Sequence, residues 1–236
     1  GALVSDALAR VVATYPEGQF ATFLSNHDQV RVMSQVSASR PRARLAATLL
    51  LTYPGVPFVY YGEEIGMPGR KPDPRLRTPM AWTGEEPGLG FSTGTPWEEP
   101  QTLAVDGSVA AQTGDPESLL SRYRDLIHLR NGSPALRYGE TLVLETGNRA
   151  VAAYLRTIGD DHVLVVANLG GLETGDYGLV LDSGGPDGPV EAVLLLGEGE
   201  VTSPEIGPGG GFDGYRPFDT LPARTALVVR LAETGG

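Results

Sequence analysis

The chain contains no cysteine, so disulfide bridges and thiolate metal sites are excluded. It also lacks any apolar run of the roughly 20 residues that a membrane-spanning helix needs. Basic residues are scarce, since 18 Lys and Arg stand against 29 Asp and Glu and leave a net charge of -11. This balance argues against nucleic acid and anionic membranes as partners, and it suits a neutral ligand such as a sugar.

Glycine and proline are abundant, with 32 and 19 of the 236 residues, which predicts a loop-rich protein. The hydrophobic fraction of 41% is enough for a buried core. Residues 1–14 have neither the basic start nor the long apolar centre of a signal peptide, and they predict an amphipathic helix cut from a larger chain. We therefore expect a cytoplasmic protein, although such a start leaves secretion open.

The first 61 residues predict alternating helices and strands. The predicted elements are a helix at 2–14, a strand at 20–24, a helix at 42–51 and a strand at 57–61. This order is typical of parallel strands joined by right-handed crossovers. The run 57–61 is continuously apolar, which predicts a strand that is buried on both faces.

Residues 62–115 predict a long loop over the end of the sheet. The segment contains Trp82, Phe91 and Trp97, and because disordered linkers rarely carry such residues we expect it to be ordered. Asp115 followed by Pro116 predicts the start of a helix that runs to about Arg130, with Asp115 as its N-cap.

From residue 139 the periodicity becomes that of strands. The predicted strands lie at 140–145, 150–158, 162–169, 177–181, 190–196 and 225–231. Short strands separated by glycine-rich turns are typical of an antiparallel sandwich. We place a domain boundary near residues 132–138.

Three polar residues follow the strand at 20–24, namely Asn26, His27 and Asp28. Parallel barrels carry their reactive groups at the carboxyl ends of strands, where a carboxylate can stabilise positive charge and a histidine can bind hydroxyl groups. Taken alone, the tripeptide is more typical of an Asx-turn before a helix. Arg31 is interpreted as a solvated side chain rather than as a partner of a nearby carboxylate.

Further motifs support the catalytic interpretation. They are the segments 23–29 (FLSNHDQ), 59–67 (VYYGEEIGM), 77–82 (RTPMAW), 90–92 (GFS), 96–97 (PW), 118–130 (SLLSRYRDLIHLR) and 134–136 (PAL). In this order and spacing they resemble the α-amylase superfamily of glycoside hydrolases. The segments from 77 to 97 resemble its branch of oligo-1,6-glucosidases, α-glucosidases and trehalose synthases.

The resemblance implies an α/β plus β fold, in which the C-terminal part of a (β/α)8 TIM barrel is followed by an antiparallel β-sandwich domain. Residues 1–132 would form the last helix–strand units of the barrel, and 133–236 the β domain.

The resemblance also implies roles for residues of the site. Asp28 would be the carboxylate that stabilises the transition state, and His27, Asn26 and Arg77 would bind substrate. For Trp82 and Phe91, stacking on sugar rings and anchoring of the loop remain equal alternatives.

The retaining mechanism needs two more carboxyl groups, a nucleophile and an acid/base, and neither family motif is present before Phe20. Glu63 and Glu64 are interpreted as supports of the barrel rim. No metal or other cofactor is expected in this segment, because it has no calcium-loop spacing, and a calcium ion would belong to the missing part of the barrel.

The functional hypothesis is therefore the C-terminal segment of a retaining α-glucoside hydrolase or α-glucosyl transferase that acts on small α-glucosides. Its expected partners are an oligosaccharide or disaccharide substrate and the missing N-terminal barrel segment, as upstream sequence or companion chain. The isolated chain is expected to be inactive. The alternative is a non-catalytic carbohydrate-binding or structural module that another chain completes.

Overall fold

A computed structural model describes residues 1–16, 18–101 and 107–234. It divides into two compact units. The first, here called the β unit, comprises residues 1–20, 52–56 and 129–236. The second, here called the site unit, comprises residues 21–51 and 57–128. No helix within the described residues has the length and apolar character needed to cross a bilayer.

The α-helices of the described residues are α1 (Ala2–Thr14), α2 (Val32–Gln35), α3 (Arg40–Thr52), α4 (Val109–Gln112), α5 (Leu119–Gly132) and α6 (Pro134–Tyr138). The strands are β1 (Ala21–Phe23), β2 (Val56–Phe58), β3 (Glu140–Leu144), β4 (Val151–Ile158), β5 (Asp161–Asn168), β6 (Leu179–Leu181), β7 (Val190–Leu196), β8 (Phe212–Tyr215) and β9 (Thr225–Glu233). The helices predicted at 2–14 and 42–51 are confirmed, as are the six strands predicted beyond residue 139, each to within about two residues.

The β unit is built on a five-stranded antiparallel sheet with strand order β3-β4-β5-β9-β7. In its centre Leu164 pairs with Leu155 on one side and with Val229 on the other. Strands β6 and β8 form a second antiparallel pair. The sequence did not predict β8, because its Phe-Asp-Gly-Tyr run is short and contains Gly214 at a φ of 66°.

Both faces of the large sheet are buried at its inner strands β4 and β5. One face shares a single hydrophobic core with β6 and β8, and this core includes Leu155, Leu164 and Leu179. Helices α1 and α6 pack against the strands β3, β4 and β5. Because both faces of β4 and β5 are covered, almost every residue of these strands is buried. Their sequences are therefore mostly apolar and do not alternate between apolar and polar residues.

Strand β1 and all of β2 except Val56 lie in the site unit, and they form a sheet of two short strands. The predicted burial of the 57–61 run is wrong. Phe58 is 59% exposed, Val59 and Tyr61 are also exposed, and the strand ends at Phe58. The physical reason is that β2 has β1 as its only strand neighbour among the described residues, so its side chains are left uncovered.

The predicted loop at 62–115 is ordered in its described part, and residues 102–106 lie outside the described residues. It contains two short 3-10 helices, Glu63–Ile65 and Asp73–Leu76, and the single turn α4. A small core of aliphatic side chains holds it, with Met67, Met80 and Leu89 packed around Leu120 of α5.

Helix α5 begins at Leu119, three residues later than predicted. Asp115 is not its N-cap, because the Asp115 carboxylate already accepts the backbone N–H of Glu117 in a turn, at 2.9 Å. Ser118 has the capping role instead, since its Oγ accepts the N–H of Ser121 at 3.1 Å.

Candidate active site

The polar tripeptide after β1 forms a tight turn. The backbone N–H of Asp28 donates to the side-chain Oδ1 of Asn26 at 2.9 Å, so Asn26 closes an Asx-turn. The side chains of His27 and Asp28 are left exposed at the surface of the site unit. The turn and the catalytic interpretation are therefore compatible, because the turn leaves the side chains of His27 and Asp28 accessible.

Arg77 joins this turn from the long loop. Its Nη2 donates to Asp28 Oδ1 at 2.8 Å, and its Nε donates to the backbone oxygen of His27 at 3.1 Å. The second carboxylate oxygen of Asp28 lies 3.3 Å from His27 Nε2. The structure thus brings Arg77 to the turn formed by Asn26, His27 and Asp28, which lie about 50 positions before it in the sequence.

A second carboxylate, that of Asp73, lies near the same Arg77 nitrogen, and Lys71 pairs with this carboxylate. Asp73 Oδ2 lies 3.5 Å from Arg77 Nη2, and Lys71 Nζ contacts Asp73 Oδ1. The hydrogen bond from Lys71, followed by the charges of Lys71 and Arg77, lowers the pKa of Asp73. The sequence prediction missed this pair, although the spacing of four residues between Asp73 and Arg77 on a helical turn is a known signal for an ion pair.

Arg31 is fully buried, so its interpretation as a solvated side chain is wrong. Its Nε donates to the backbone oxygen of Leu76 at 3.0 Å and its Nη1 to that of Tyr61 at 2.6 Å. The guanidinium carbon also lies 4.5 and 4.6 Å from the ring centroids of Tyr60 and Tyr61. An arginine can replace its hydration shell with carbonyl oxygens and aromatic faces, which makes such burial tolerable.

The same two tyrosines fix the backbone on both sides of Arg77. The hydroxyl of Tyr60 donates to the oxygen of Leu76 at 3.0 Å, and that of Tyr61 donates to the oxygen of Thr78 at 2.7 Å. Burial is the main cause that raises the pKa of Tyr60 to about 12, so its hydroxyl stays a donor at neutral pH. Arg77 therefore extends from a loop whose backbone is held at its neighbouring residues, as a precise binding site requires.

Trp82 and Phe91 have accessible rings, with 49% and 59% of their surfaces exposed. The backbone of Trp82 holds the loop, since its N–H donates to Leu89 and its oxygen accepts from Ala110, both at 2.9 Å. Whether the rings stack on sugar stays a prediction.

Glu63 and Glu64 lie beneath this surface. Glu63 is only 1% exposed, and its carboxylate receives the hydroxyls of Ser25 at 3.4 Å and Tyr123 at 3.3 Å. Burial raises the pKa of Glu63 to about 7 and also raises the pKa of Glu64. Within residues 1–16, 18–101 and 107–234, no three His, Asp or Glu side chains lie close enough together to hold a metal ion.

Comparison with known proteins identifies related chains. The chain is 38% identical over 155 residues to alpha-amylase 3 of Dictyoglomus thermophilum, a match that covers 65% of this chain and 30% of the relative. It is 32% identical over 189 residues to a probable alpha-glucosidase of Rhizobium meliloti, covering 70% and 34%. Other relatives are named oligo-1,6-glucosidase and trehalose synthase, the branch that the motifs resemble.

Solved structures agree with these relatives. The crystal structure of an alpha-amylase from H. orenii superposes with a TM-score of 0.64 at 33% identity, covering 89% of this chain and 39% of that one. The chain thus spans well under half of the length of the relatives that it matches. The family described as "Alpha amylase, catalytic domain" matches residues 3–139, which is more than half of the chain. The chain therefore belongs to the α-amylase family.

Proposed function

We propose that the chain is the C-terminal part of a retaining α-glucoside hydrolase or α-glucosyl transferase. Residues 1–132 would contribute the last helix–strand units of a (β/α)8 barrel, and residues 133–236 the sandwich domain that follows it. The observation that carries the proposal is the contact of Arg77 with Asp28 and with the backbone of His27, at the exposed end of β1.

Asp28 would stabilise the transition state. Glycoside cleavage passes through an oxocarbenium-like state, and a carboxylate close to the developing positive charge lowers its energy. Arg77 and His27 each contact one oxygen of Asp28, which fixes the orientation of the carboxylate and leaves further lone pairs for sugar hydroxyl groups. His27, Asn26 and Arg77 would bind hydroxyl groups of the same sugar.

The nucleophile and the acid/base would come from a part of the barrel outside residues 1–236. Glu63 is a poor substitute, because it is buried and already receives two hydroxyl groups. Asp73, the other carboxylate at Arg77, is paired with Lys71. The matched relatives are about three times as long as the aligned segment, which leaves room for the missing strands.

The apolar surface of the site unit supports this proposal. Phe23, Phe58, Val59 and Tyr61 lie in or just after its two strands and are exposed. Uncovered apolar side chains beside an open sheet edge are typical of a surface that another part of a protein covers. Neighbouring barrel strands would provide that cover. The net charge of -11 suits a neutral disaccharide or oligosaccharide, on which Trp82 or Phe91 could stack.

The second candidate is a non-catalytic carbohydrate-binding or structural module that another chain completes. The favouring observation is the engagement of Glu63 and Asp73 in contacts of their own, which leaves Asp28 as the one predicted catalytic carboxylate on the chain. Both candidates need a covering partner, and they differ in whether that partner brings an Asp and a Glu to Asp28.

Asp28→Asn in the complete protein tests the first candidate. We expect kcat on a p-nitrophenyl α-glucoside to fall by about 10²–10³, because the amide keeps the shape but loses the charge. Asp6→Asn is the matched control, since Asp6 is an exposed residue of α1 in the other unit, and it should leave kcat unchanged. A near-normal kcat in Asp28→Asn would refute the assignment.

The isolated chain provides a second arm of the test. We expect no turnover of the same substrate by purified residues 1–236, and activity once the missing barrel segment is supplied on the same chain or as a companion. Turnover by the isolated chain would contradict the proposal. A complete protein that binds maltose but hydrolyses and transfers nothing would favour the non-catalytic candidate.

A further inference from the structure

We propose that Glu63 is a positioning residue that holds the Asn26–Asp28 turn in place through Ser25. The proposal rests on the function proposed above for Asp28, and it adds a buried acid that the mechanism of the site does not otherwise use. It also predicts that the site becomes better ordered as the pH rises through neutrality.

Glu63 connects three separate elements of the site unit. It begins the 3-10 helix Glu63–Ile65, directly after Gly62 at a φ of 82°, a conformation that favours glycine. One carboxylate oxygen receives Ser25 Oγ, just after β1, and the other receives the hydroxyl of Tyr123 on α5. All three side chains are almost fully buried, so little water competes for these contacts.

Ser25 links Glu63 to the Asn26–Asp28 turn through the backbone. It immediately precedes Asn26, whose side chain closes the turn by accepting the N–H of Asp28. Arg77 approaches the turn from the long loop, whose backbone is held by Arg31, Tyr60 and Tyr61. The contact between Ser25 and Glu63 therefore holds the turn from the strand side, while the Arg77 contacts hold it from the loop side.

The surroundings of Glu63 make its ionisation sensitive to neutral pH. Burial raises its pKa to about 7, the hydroxyls of Tyr123 and Ser25 act in the lowering direction, and the charge of Glu64 adds to the raising effect. Tyr123 itself has its pKa raised well above the ordinary value by burial, so it remains a neutral hydroxyl donor. Arg31 acts on the neighbouring carboxyl, Glu64, in the lowering direction.

The two protonation states of Glu63 hold Ser25 differently. The ionised carboxylate has two strong acceptor oxygens, so Ser25 and Tyr123 both donate to it. In the neutral acid one oxygen carries the proton and becomes a donor, so one of the two hydroxyl contacts must weaken or reverse. Ionised Glu63 should therefore hold the turn more firmly than neutral Glu63.

The test compares wild type, Glu63→Gln, Ser25→Ala and the double variant of the complete protein between pH 5.5 and 8.5. Glutamine imitates the neutral acid at every pH. We expect kcat/KM of wild type and Glu63→Gln to be similar at pH 5.5 and to separate by roughly threefold to tenfold above pH 7.5, since small misplacements cost catalysis. Glu191→Gln, at an exposed position of β7, should follow wild type. The double variant should be no worse than Ser25→Ala.

Hydrogen exchange provides a readout that needs no activity. At pH 8 the peptide segment 24–29 should exchange faster in Glu63→Gln and in Ser25→Ala than in wild type, and at pH 5.5 Glu63→Gln should match wild type. If segment 24–29 exchanges at the same rate in wild type and in Glu63→Gln at both pH values, the proposal is overturned, whether or not the protein is an enzyme. A pH-dependent difference in exchange with identical pH profiles of kcat/KM would also overturn it, while leaving the role of Asp28 intact.

Discussion

The two units of the chain differ in how completely they bury their own strands. In the β unit, Val163 to Ala167 of β5 are fully buried between a shared core and packed helices. In the site unit, the two strands have three residues each, and Phe58 is exposed although it lies in a strand. The inner strands of one sheet are buried on both faces, and the strands of the other leave apolar side chains exposed.

This difference in burial indicates that the two units are stabilised by different interactions. A sheet that buries both faces gains hydrophobic free energy from every apolar side chain, so the β unit should be the stable part. The site unit depends on ion pairs, buried arginine and tyrosine contacts, and one small aliphatic core. Such polar networks hold a site in a defined geometry, and they contribute less net stability than an apolar core.

The largest expected effect is a core truncation in the β unit. Leu164→Ala should lower the free energy of unfolding by about 3–5 kcal/mol, because Leu164 is 0% exposed in the centre of the sheet. Urea denaturation followed by circular dichroism measures the change. Leu172→Ala, at a position that is 82% exposed, is the control and should change stability by less than about 0.5 kcal/mol. Equal losses in both variants would contradict the burial of Leu164 in the core of the β unit.

The second effect, a pH dependence, belongs to the site unit. The pKa of Glu63 is about 7 in the folded chain against an ordinary 4.5, so the folded state binds more protons between these values. Glu63 therefore costs no stability below pH 4.5. As the pH rises through 7 the desolvation of the ionised carboxylate lowers the stability of the fold, and this loss levels off above about pH 8, although the ionised form makes the stronger contacts with Ser25 and Tyr123. The shift corresponds to about 3 kcal/mol between pH 4.5 and pH 8.

Glu63→Gln removes this ionisation. Its free energy of unfolding should therefore increase relative to wild type by about 3 kcal/mol from pH 4.5 to pH 8. Thermal or urea unfolding at a series of pH values measures the difference, with Glu191→Gln as the control at an exposed position. A difference that does not vary with pH would mean that Glu63 has an ordinary pKa.

The smallest effect is expected for Phe58→Ala in the isolated chain. Because Phe58 is 59% exposed there, its truncation should change the free energy of unfolding by less than about 0.5 kcal/mol. In the complete protein, where the proposed barrel strands would cover it, the same variant should cost about 3 kcal/mol. The same small change in both proteins would contradict the proposal that further strands cover this surface.

Most secondary structure could be predicted because its signals are local. Helix α1 and the strands beyond residue 139 follow from residue periodicity and from glycine-rich turns, which act over a few residues. The aromatic residues of the long loop also allowed the prediction that this loop is ordered rather than disordered. The grouping of Asn26, His27, Asp28 and Arg77 was predicted through family resemblance, since no local pattern relates positions about 50 residues apart.

Other features could not be predicted because they depend on competition between partners. Asp115 has the residue type of an N-cap, but a nearer N–H, that of Glu117, takes its carboxylate, and Ser118 caps α5 instead. Arg31 was predicted to be solvated, but in the fold its guanidinium group contacts two carbonyl oxygens and two aromatic rings. In both cases the residue type allows several contacts and the fold selects one.

The sequence by itself determined the class of elements, their order, and the residues that carry the candidate chemistry at the end of β1. It did so because apolar periodicity and turn residues act locally, and because the motifs are specific to a family. The tertiary structure alone decided that Arg31 is buried, that Asp73 and Lys71 support Arg77, and that Glu63 lies beneath Ser25. These facts depend on which polar groups meet when distant segments pack, and the free energy of a buried charge is set by its partners in space rather than by its neighbours in the chain.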